Sequence, residues 1–109
     1  MKVFKFGGAS VRDAAGIKNL AHIVSKEKTE LVIVVSAFGK TTNALEKVLK
    51  LWLARDNDYK NQLETVYSYH SGVADDLFHD INPATGKIDD SFALLKQYLR
   101  SAKPGEYDY

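Results

Sequence analysis

Apolar and polar positions follow two different periods along this chain, and the switches between them divide the first forty residues into three pieces. Val3-Phe4-Lys5-Phe6 predicts a short strand that stops at Gly7-Gly8. From Asp13 the spacing lengthens. Ile17, Leu20, Ala21 and Val24 fall at i, i+3, i+4 and i+7, the stripe of an amphipathic helix that runs out near Lys26-Glu27-Lys28. Leu31-Val32-Ile33-Val34-Val35 is then an unbroken apolar, largely β-branched run. A strand with no polar alternation is expected to be buried on both faces, the habit of a central parallel strand. Strand, helix and strand compose a βαβ unit, so the expected class is α/β with a parallel sheet.

Past residue 40 the period is helical only. Asn43 with Glu46 has the spacing of a capping box and is expected to open a second helix bearing Leu45, Val48, Leu49, Trp52 and Leu53. Lys47, Lys50 and Arg55 form its polar face. A third stripe runs through Leu63, Val66, Tyr67, His70, Val73, Ala74, Leu77 and Phe78, with Gly72 as its weak point. Asn82-Pro83-Ala84-Thr85-Gly86 predicts a loop, and Asp89 or Asp90 is expected to cap a fourth helix carrying Phe92, Leu95, Tyr98 and Leu99. Lys103-Pro104-Gly105 is expected to break it. Two parallel strands offer too little sheet for so many apolar helix faces. The domain is therefore expected to be incomplete, with further strands beyond Tyr109.

Composition narrows the class without choosing a chemistry. In 109 residues, 45% are apolar and 27% charged, the balance of an ordinary globular domain. Fifteen basic residues face fourteen acidic ones in short runs, for a net charge of +1, which gives no electrostatic ground for a nucleic-acid partner. The absence of cysteine excludes a disulfide scaffold and a cysteine-ligated metal, and fits a reducing compartment. Met1 to Phe6 leads into glycines instead of an apolar stretch, so no signal peptide is expected. The longest apolar run, Leu31 to Val35, is far too short to span a membrane. The expected setting is cytoplasmic, with no membrane partner. His22, His70 and His79 lack ligand spacing, and no metal ligand is assigned. Trp52, His70 and the tyrosines read as packing residues, and Asp75-Asp76 and Asp89-Asp90 as solvated faces or caps.

Chemistry is concentrated at the two places where a strand gives way to a helix. The first is Lys5-Phe6-Gly7-Gly8-Ala9-Ser10. Ligands of open α/β sheets bind off the carboxyl ends of the strands, where this turn lies. Its glycines let backbone approach a ligand, Lys5 adds a full positive charge, and the helix that follows adds a partial one. These features suit a polyphosphate, although glycine pairs also end strands for steric reasons alone. The second place is Ser36-Ala37-Phe38-Gly39-Lys40-Thr41-Thr42-Asn43. Gly39-Lys40-Thr41 imitates the end of a Walker A loop, but Val34 stands where that motif requires a glycine. A hydroxyl-rich loop at a helix start remains, suited to an anionic small molecule such as a carboxylate, with helix capping by Thr42 or Asn43 as the plain alternative. Both loops are expected at the same end of one sheet, as phosphoryl transfer between two bound partners requires.

The segment Val3 to Val11 resembles the signature with which aspartate kinases begin: lysine, aromatic, two glycines, a small residue, serine and an aliphatic. Val34 to Asn43 is similar to the second loop of that family. Acetylglutamate kinase and other amino-acid kinases share the first motif, but their second loop is a glycine-rich turn. The matched motifs cover residues 3 to 43. The resemblance implies the amino-acid kinase (carbamate kinase-like) fold, of which residues 1–109 are the N-terminal part of one catalytic domain. It implies an enzyme that moves the γ-phosphate of ATP to the side-chain carboxylate of L-aspartate, in the first step of lysine, threonine and methionine biosynthesis. Mg²⁺ rides mainly on the nucleotide, and the parent is expected to be a homo-oligomer.

Residue roles carry over position by position. By that resemblance Lys5 is expected to contact the ATP phosphates and to be the catalytic cation. Gly7, Gly8 and Ser10 are expected to lie against those phosphates, Ser36 and Ala37 to border the place where aspartate meets the γ-phosphate, and Thr42 to contact the substrate amino acid. Ala9 departs from the commoner threonine, and the loop varies around Phe38. The family's Ser-x-Gly-Glu glutamate, a later arginine, the adenine-binding segment and the ACT domains have no counterpart here. Gly105-Glu106 is not expected to be that glutamate, since Lys103-Pro104 precede it and Tyr107-Asp108-Tyr109 follow. The chain alone is accordingly expected to be inactive. The competing readings are a noncatalytic nucleotide- or small-molecule-binding module, a helical interaction domain that kept the motifs by descent, and another amino-acid kinase such as acetylglutamate kinase.

Overall fold

Two strands, β1 (Lys2–Phe6) and β2 (Leu31–Val35), pair in parallel with Lys2 opposite Leu31 and Phe6 opposite Val35. The crossover between them is α1 (Ala14–Ser25), and α2 (Thr41–Leu53), α3 (Tyr59–Leu77) and α4 (Thr85–Ser101) follow. The α/β class expected from the sequence is the class observed. This computed structural model describes residues 1–102. The predicted break at Lys103-Pro104-Gly105, the Gly105-Glu106 pair, Tyr107 and Tyr109 lie outside the described residues. The chain forms two compact units, Met1–Thr42 and the remainder from Asn43.

In the first unit the βαβ element is built as its periodicity predicts. Asp13 has an extended backbone and its carboxylate accepts from the Gly16 N–H at 2.9 Å, which satisfies one of the donors left open at a helix start. Lys2 at the start of β1 meets Glu27 beyond the end of α1 at 3.0 Å. Such a surface pair adds little stability. The expectation of a strand buried on both faces does not hold. Val32, Ile33, Val34 and Val35 are 42%, 40%, 46% and 48% exposed. An apolar run reports that a strand suits burial, and burial itself needs neighbours. Among the described residues β2 has a single partner, β1, in a two-stranded sheet.

Helix starts also differ from the reading of the sequence, and local hydrogen bonds explain both cases. Thr41 donates to the Phe38 carbonyl from its backbone N–H at 3.0 Å and from its hydroxyl at 2.6 Å, closing a turn that leads straight into α2. Asn43 therefore lies inside the first turn and does not cap. Likewise the Asn82 carboxamide oxygen accepts from Ala84 N at 3.0 Å and Thr85 N at 3.2 Å. This side-chain turn starts α4 at Thr85, so Thr85 and Gly86 are helical and Asp89 and Asp90 are too far along to cap.

The second unit is held by side chains with an apolar body and a polar tip. Leu63, Val66, Val73 and Ala74 bury one stripe of α3. Tyr67 of α3 meets Phe92 of α4 edge-on with centroids 5.3 Å apart, and its hydroxyl donates to Asp89 at 2.6 Å. Trp52 is half-buried on α2, and its indole N–H donates to the Leu99 carbonyl of α4 at 2.8 Å. His70 packs 6.0 Å from Phe92, and its Nδ1–H donates to the Val66 carbonyl at 2.9 Å. Among the described residues no helix is long and apolar enough to cross a membrane, and no group of three or more His, Asp or Glu side chains is placed to hold a metal.

The Tyr67–Asp89 bond has a measurable signature. The hydrogen bond to the carboxylate, reinforced by partial desolvation and by the negative charge of Asp89, raises the Tyr67 phenol above the usual value near 10.0. An acid whose folded-state value is raised gives up its proton more readily in the unfolded chain. Its stabilising contribution is thus whole below about pH 10 and is lost as pH rises through the folded value. In an alkaline tyrosinate-absorbance titration, the Tyr67 transition, isolated by difference against Tyr67→Phe, is expected above the usual value near 10.0. Asp89→Asn is expected to bring it back toward that value. An unchanged midpoint in Asp89→Asn would contradict this account.

Candidate functional site

All the candidate site residues lie in the unit Met1–Thr42. Lys5 is the penultimate residue of β1, opposite Val34 of β2. It is exposed, and among the described residues it enters no ion pair. The turn after β1 winds inward: Ser10 N donates to Gly7 O at 3.0 Å and Val11 N to Gly8 O at 3.3 Å. Val11 is buried at 1% exposure and anchors the far side of the turn. None of the backbone hydrogen bonds described outside the helices and strands uses the N–H of Gly7, Gly8 or Ala9. Those amides are the donors the turn can offer an anion, beside the Lys5 charge.

The second loop is fixed to the first. Ser36 N donates to Phe6 O at 3.0 Å, Gly39 N donates to Gly8 O at 3.1 Å, and Thr41 closes back on Phe38. Gly39 has φ of 52°, a left-handed conformation that glycine adopts at little cost. At Gly8 the crowding is between backbones. A Cβ there would stand 2.7 Å from the Gly39 carbonyl oxygen and 3.0 Å from that of Ala37, whereas at Gly7 it would meet nothing within 4 Å. Gly7 is the glycine with open space, and Gly8 is the one that lets the two loops touch.

The structure thus brings Lys5, Gly7, Gly8, Ser36 and Ala37 to one end of one sheet. Thr42 follows in the first turn of α2, exposed, while the neighbouring Thr41 hydroxyl is buried and committed to Phe38 O. Ser10 is bound to the same turn through its N–H on Gly7 O. It lines a hollow of about 370 Å³ between the end of β1 and α1, with Phe6, Ala9, Arg12, Asp13 and Asn19 among its walls and without Lys5. The helix end expected to assist the first loop is also displaced, because α1 begins only at Ala14 and its Gly16 N–H is taken by Asp13. Positive potential at the first loop rests on Lys5 and the turn amides. The start of α2, by contrast, adjoins the second loop directly. A second hollow, of about 310 Å³ in the other unit, is lined by Tyr59, Lys60, Leu63, Glu64, Lys96 and Arg100 and holds none of the candidates.

Sequence reasoning missed Thr41 and Gly39 as structural members of the site. A glycine in one loop opposite a glycine pair in the next was the signal available for Gly39. The hydroxyl pair Thr41-Thr42 gave no sign of which member turns inward.

Residues 1–98 match the amino acid kinase family. The chain is 30% identical over 102 residues to the chloroplastic bifunctional aspartokinase/homoserine dehydrogenase 2 of Arabidopsis thaliana, covering 91% of this chain and 11% of that protein. Against the corresponding bifunctional protein of Daucus carota the identity is again 30%, with the same coverage. Against aspartokinase 3 of Bacillus subtilis (strain 168) it is 31% over 121 residues, covering 99% of this chain and 27% of that protein. The chain spans about a tenth of the plant relatives it matches and about a quarter of the bacterial one.

The unequal surroundings of the two glycines give opposite expectations for the same substitution. Gly8→Ala forces a methyl against two carbonyl oxygens and is expected to destabilise the chain by about 1–3 kcal/mol, the range for overpacking. Gly7→Ala enters open space without a positive φ and is expected to be neutral or stabilising by up to about 1 kcal/mol through the unfolded state. Urea denaturation of both variants checks this, and equal effects would refute the loop-to-loop account.

Proposed function

The chain belongs to the amino acid kinase family, and from that premise we propose that it supplies the phosphate-facing and acceptor-facing loops of an aspartate kinase. One observation carries the proposal: the Gly39–Gly8 hydrogen bond holds a cationic, amide-rich turn against a hydroxyl-rich loop at the start of a helix. The relatives named aspartokinase include both bifunctional and separately named forms, and the aspartokinase step is what their names share.

The roles follow from the chemistry of each group. The Lys5 ammonium and the amides of Gly7 to Ala9 face the phosphate chain of ATP, with Ser10 at the outer end of the turn. Ser36 and Ala37 border the line along which the aspartate carboxylate approaches, and the Thr42 hydroxyl holds the substrate's amino-acid end. A carboxylate oxygen forms the new bond to the γ-phosphorus while the bond from that phosphorus to the bridging oxygen of the leaving ADP breaks. No proton need move and no residue is covalently modified. The protein's part is positioning and charge compensation, which Lys5 provides where negative charge shifts. Lys5–Ser10 and Ser36–Asn43 contain no carboxylate or imidazole, so their donors suit phosphate oxygens better than a metal. Mg²⁺ would accordingly be carried on the nucleotide, where it supplies further compensation of phosphate charge.

The reading is tested by aspartate-dependent ADP release in the kinase that carries this segment, with N-acetylglutamate as the rival acceptor. Nucleotide binding without acceptor-dependent release would favour the noncatalytic class. In the same assay Lys5→Ala is expected to lower kcat by roughly 10²-fold or more, since the contact acts mainly in the transition state. Retention of more than about a third of kcat would remove Lys5 from that role.

Thr42→Val keeps the shape of the side chain and deletes its hydroxyl. The KM for aspartate is expected to rise by the equivalent of about 1.5–3 kcal/mol, the worth of a hydrogen bond to a charged group, with the KM for ATP nearly constant. A rise in the KM for ATP instead would make the second loop a nucleotide loop.

A further inference from the structure

Gly39 is itself assigned to neither substrate, yet the geometry of both loops passes through it. The segment between β2 and α2 is held at three points. Its start is tied by Ser36 N to Phe6 O at 3.0 Å, its end by Thr41 to Phe38 O, and its middle by Gly39 N to Gly8 O at 3.1 Å. The first and last points lie at the ends of regular elements and fix where the loop enters and leaves. Only the middle one reaches the first loop beyond its strand. The backbone of Gly39 stands at φ 52°, and from an N–H bonded to Gly8 O the chain turns so that the Gly39 carbonyl oxygen comes within 2.7 Å of where a Gly8 Cβ would be. Gly8 O is already an acceptor for Val11 N, whose buried side chain holds that carbonyl in place. The second loop is therefore referenced to a fixed point in the first.

We propose that Gly39 is a positioning residue: its left-handed backbone and its bond to Gly8 set the separation between the Lys5–Ala9 turn and the Ser36–Thr42 loop, and so the distance across which phosphate and carboxylate meet. The proposal rests on the aspartate kinase reading. Each loop keeps its own donors if the bond is lost, so each substrate retains its own contacts. What changes is the register between them. Phosphoryl transfer is sensitive to that register, because a displacement of about 1 Å between reacting groups is enough to cost on the order of 10²-fold in rate.

The test is made in the kinase that carries this segment, with Gly39→Ala and Gly39→Asn. Alanine disfavours the left-handed region, whereas asparagine tolerates it. Asparagine is also the larger side chain, so a purely steric defect would be at least as severe in Gly39→Asn. Gly39→Ala is expected to lose roughly tenfold or more in kcat, with dissociation constants for MgATP and aspartate, measured separately by calorimetry, within about threefold of wild type. Gly39→Asn is expected to recover most of that kcat. Thermal melting of both variants checks that they are folded. Should Gly39→Ala fail to fold, Gly39→Asn carries the test: folded and active supports the proposal, folded and slow overturns it. The proposal is equally overturned if folded Gly39→Ala keeps kcat within about twofold, or if its loss lies in one dissociation constant alone. A wild-type enzyme without aspartate-dependent ADP release would instead defeat the underlying reading, whatever the variants do.

Discussion

Parallel pairing of β1 with β2 is the constraint on which the candidate site depends. Two antiparallel strands would deliver their following loops to opposite ends. A parallel pair joined by a helical crossover sends both out at the same end, with the first loop feeding α1 and the second feeding α2. Everything chemical in the first unit then follows from what those neighbouring exits carry: a lysine one residue before the strand ends, a glycine pair, and a run of small hydroxyl-bearing residues. The contact between Gly8 and Gly39 turns mere proximity into a fixed relation.

Much of this was legible in the residues. The change of period at Asp13 and the apolar run from Leu31 give the βαβ unit, and the unit dictates that the two loops share an end. The polar groups were legible as types. Their partners were not, because partners depend on short-range competition that periodicity does not register. Thr41 and Asn82 each take over the start of a helix by bonding to nearby backbone, which moves α2 and α4 earlier than Asn43 or Asp89 would place them. Gly8 shows the same limit. A glycine at a strand end announces that something comes close. In this fold the close group is the carbonyl of the next loop, not a ligand alone.

The second unit illustrates how amphipathic helices are given a unique fit. The buried stripe of α3 accepts many neighbours, whereas Tyr67 bonding to Asp89 and Trp52 bonding to the Leu99 carbonyl each permit one. Directional bonds at the rim choose among the packings that the apolar stripe allows. Asp89, which reads as a cap in the sequence, is better understood as one half of such a bond.

The exposed flank of β2 bears on how the chain folds. Val32 to Val35 present one side chain after another to solvent, and among the described residues the strand's far edge has no partner and no lysine, proline or bulge to blunt it. Such an edge is a template that extends itself with whatever strand arrives. A strand from another molecule reaches that edge at the concentration of the solution, so the yield of correctly folded protein is expected to depend on dilution. The residues that decide it belong to the scaffold, yet they adjoin the site: Val34 lies opposite Lys5 and Val35 precedes Ser36.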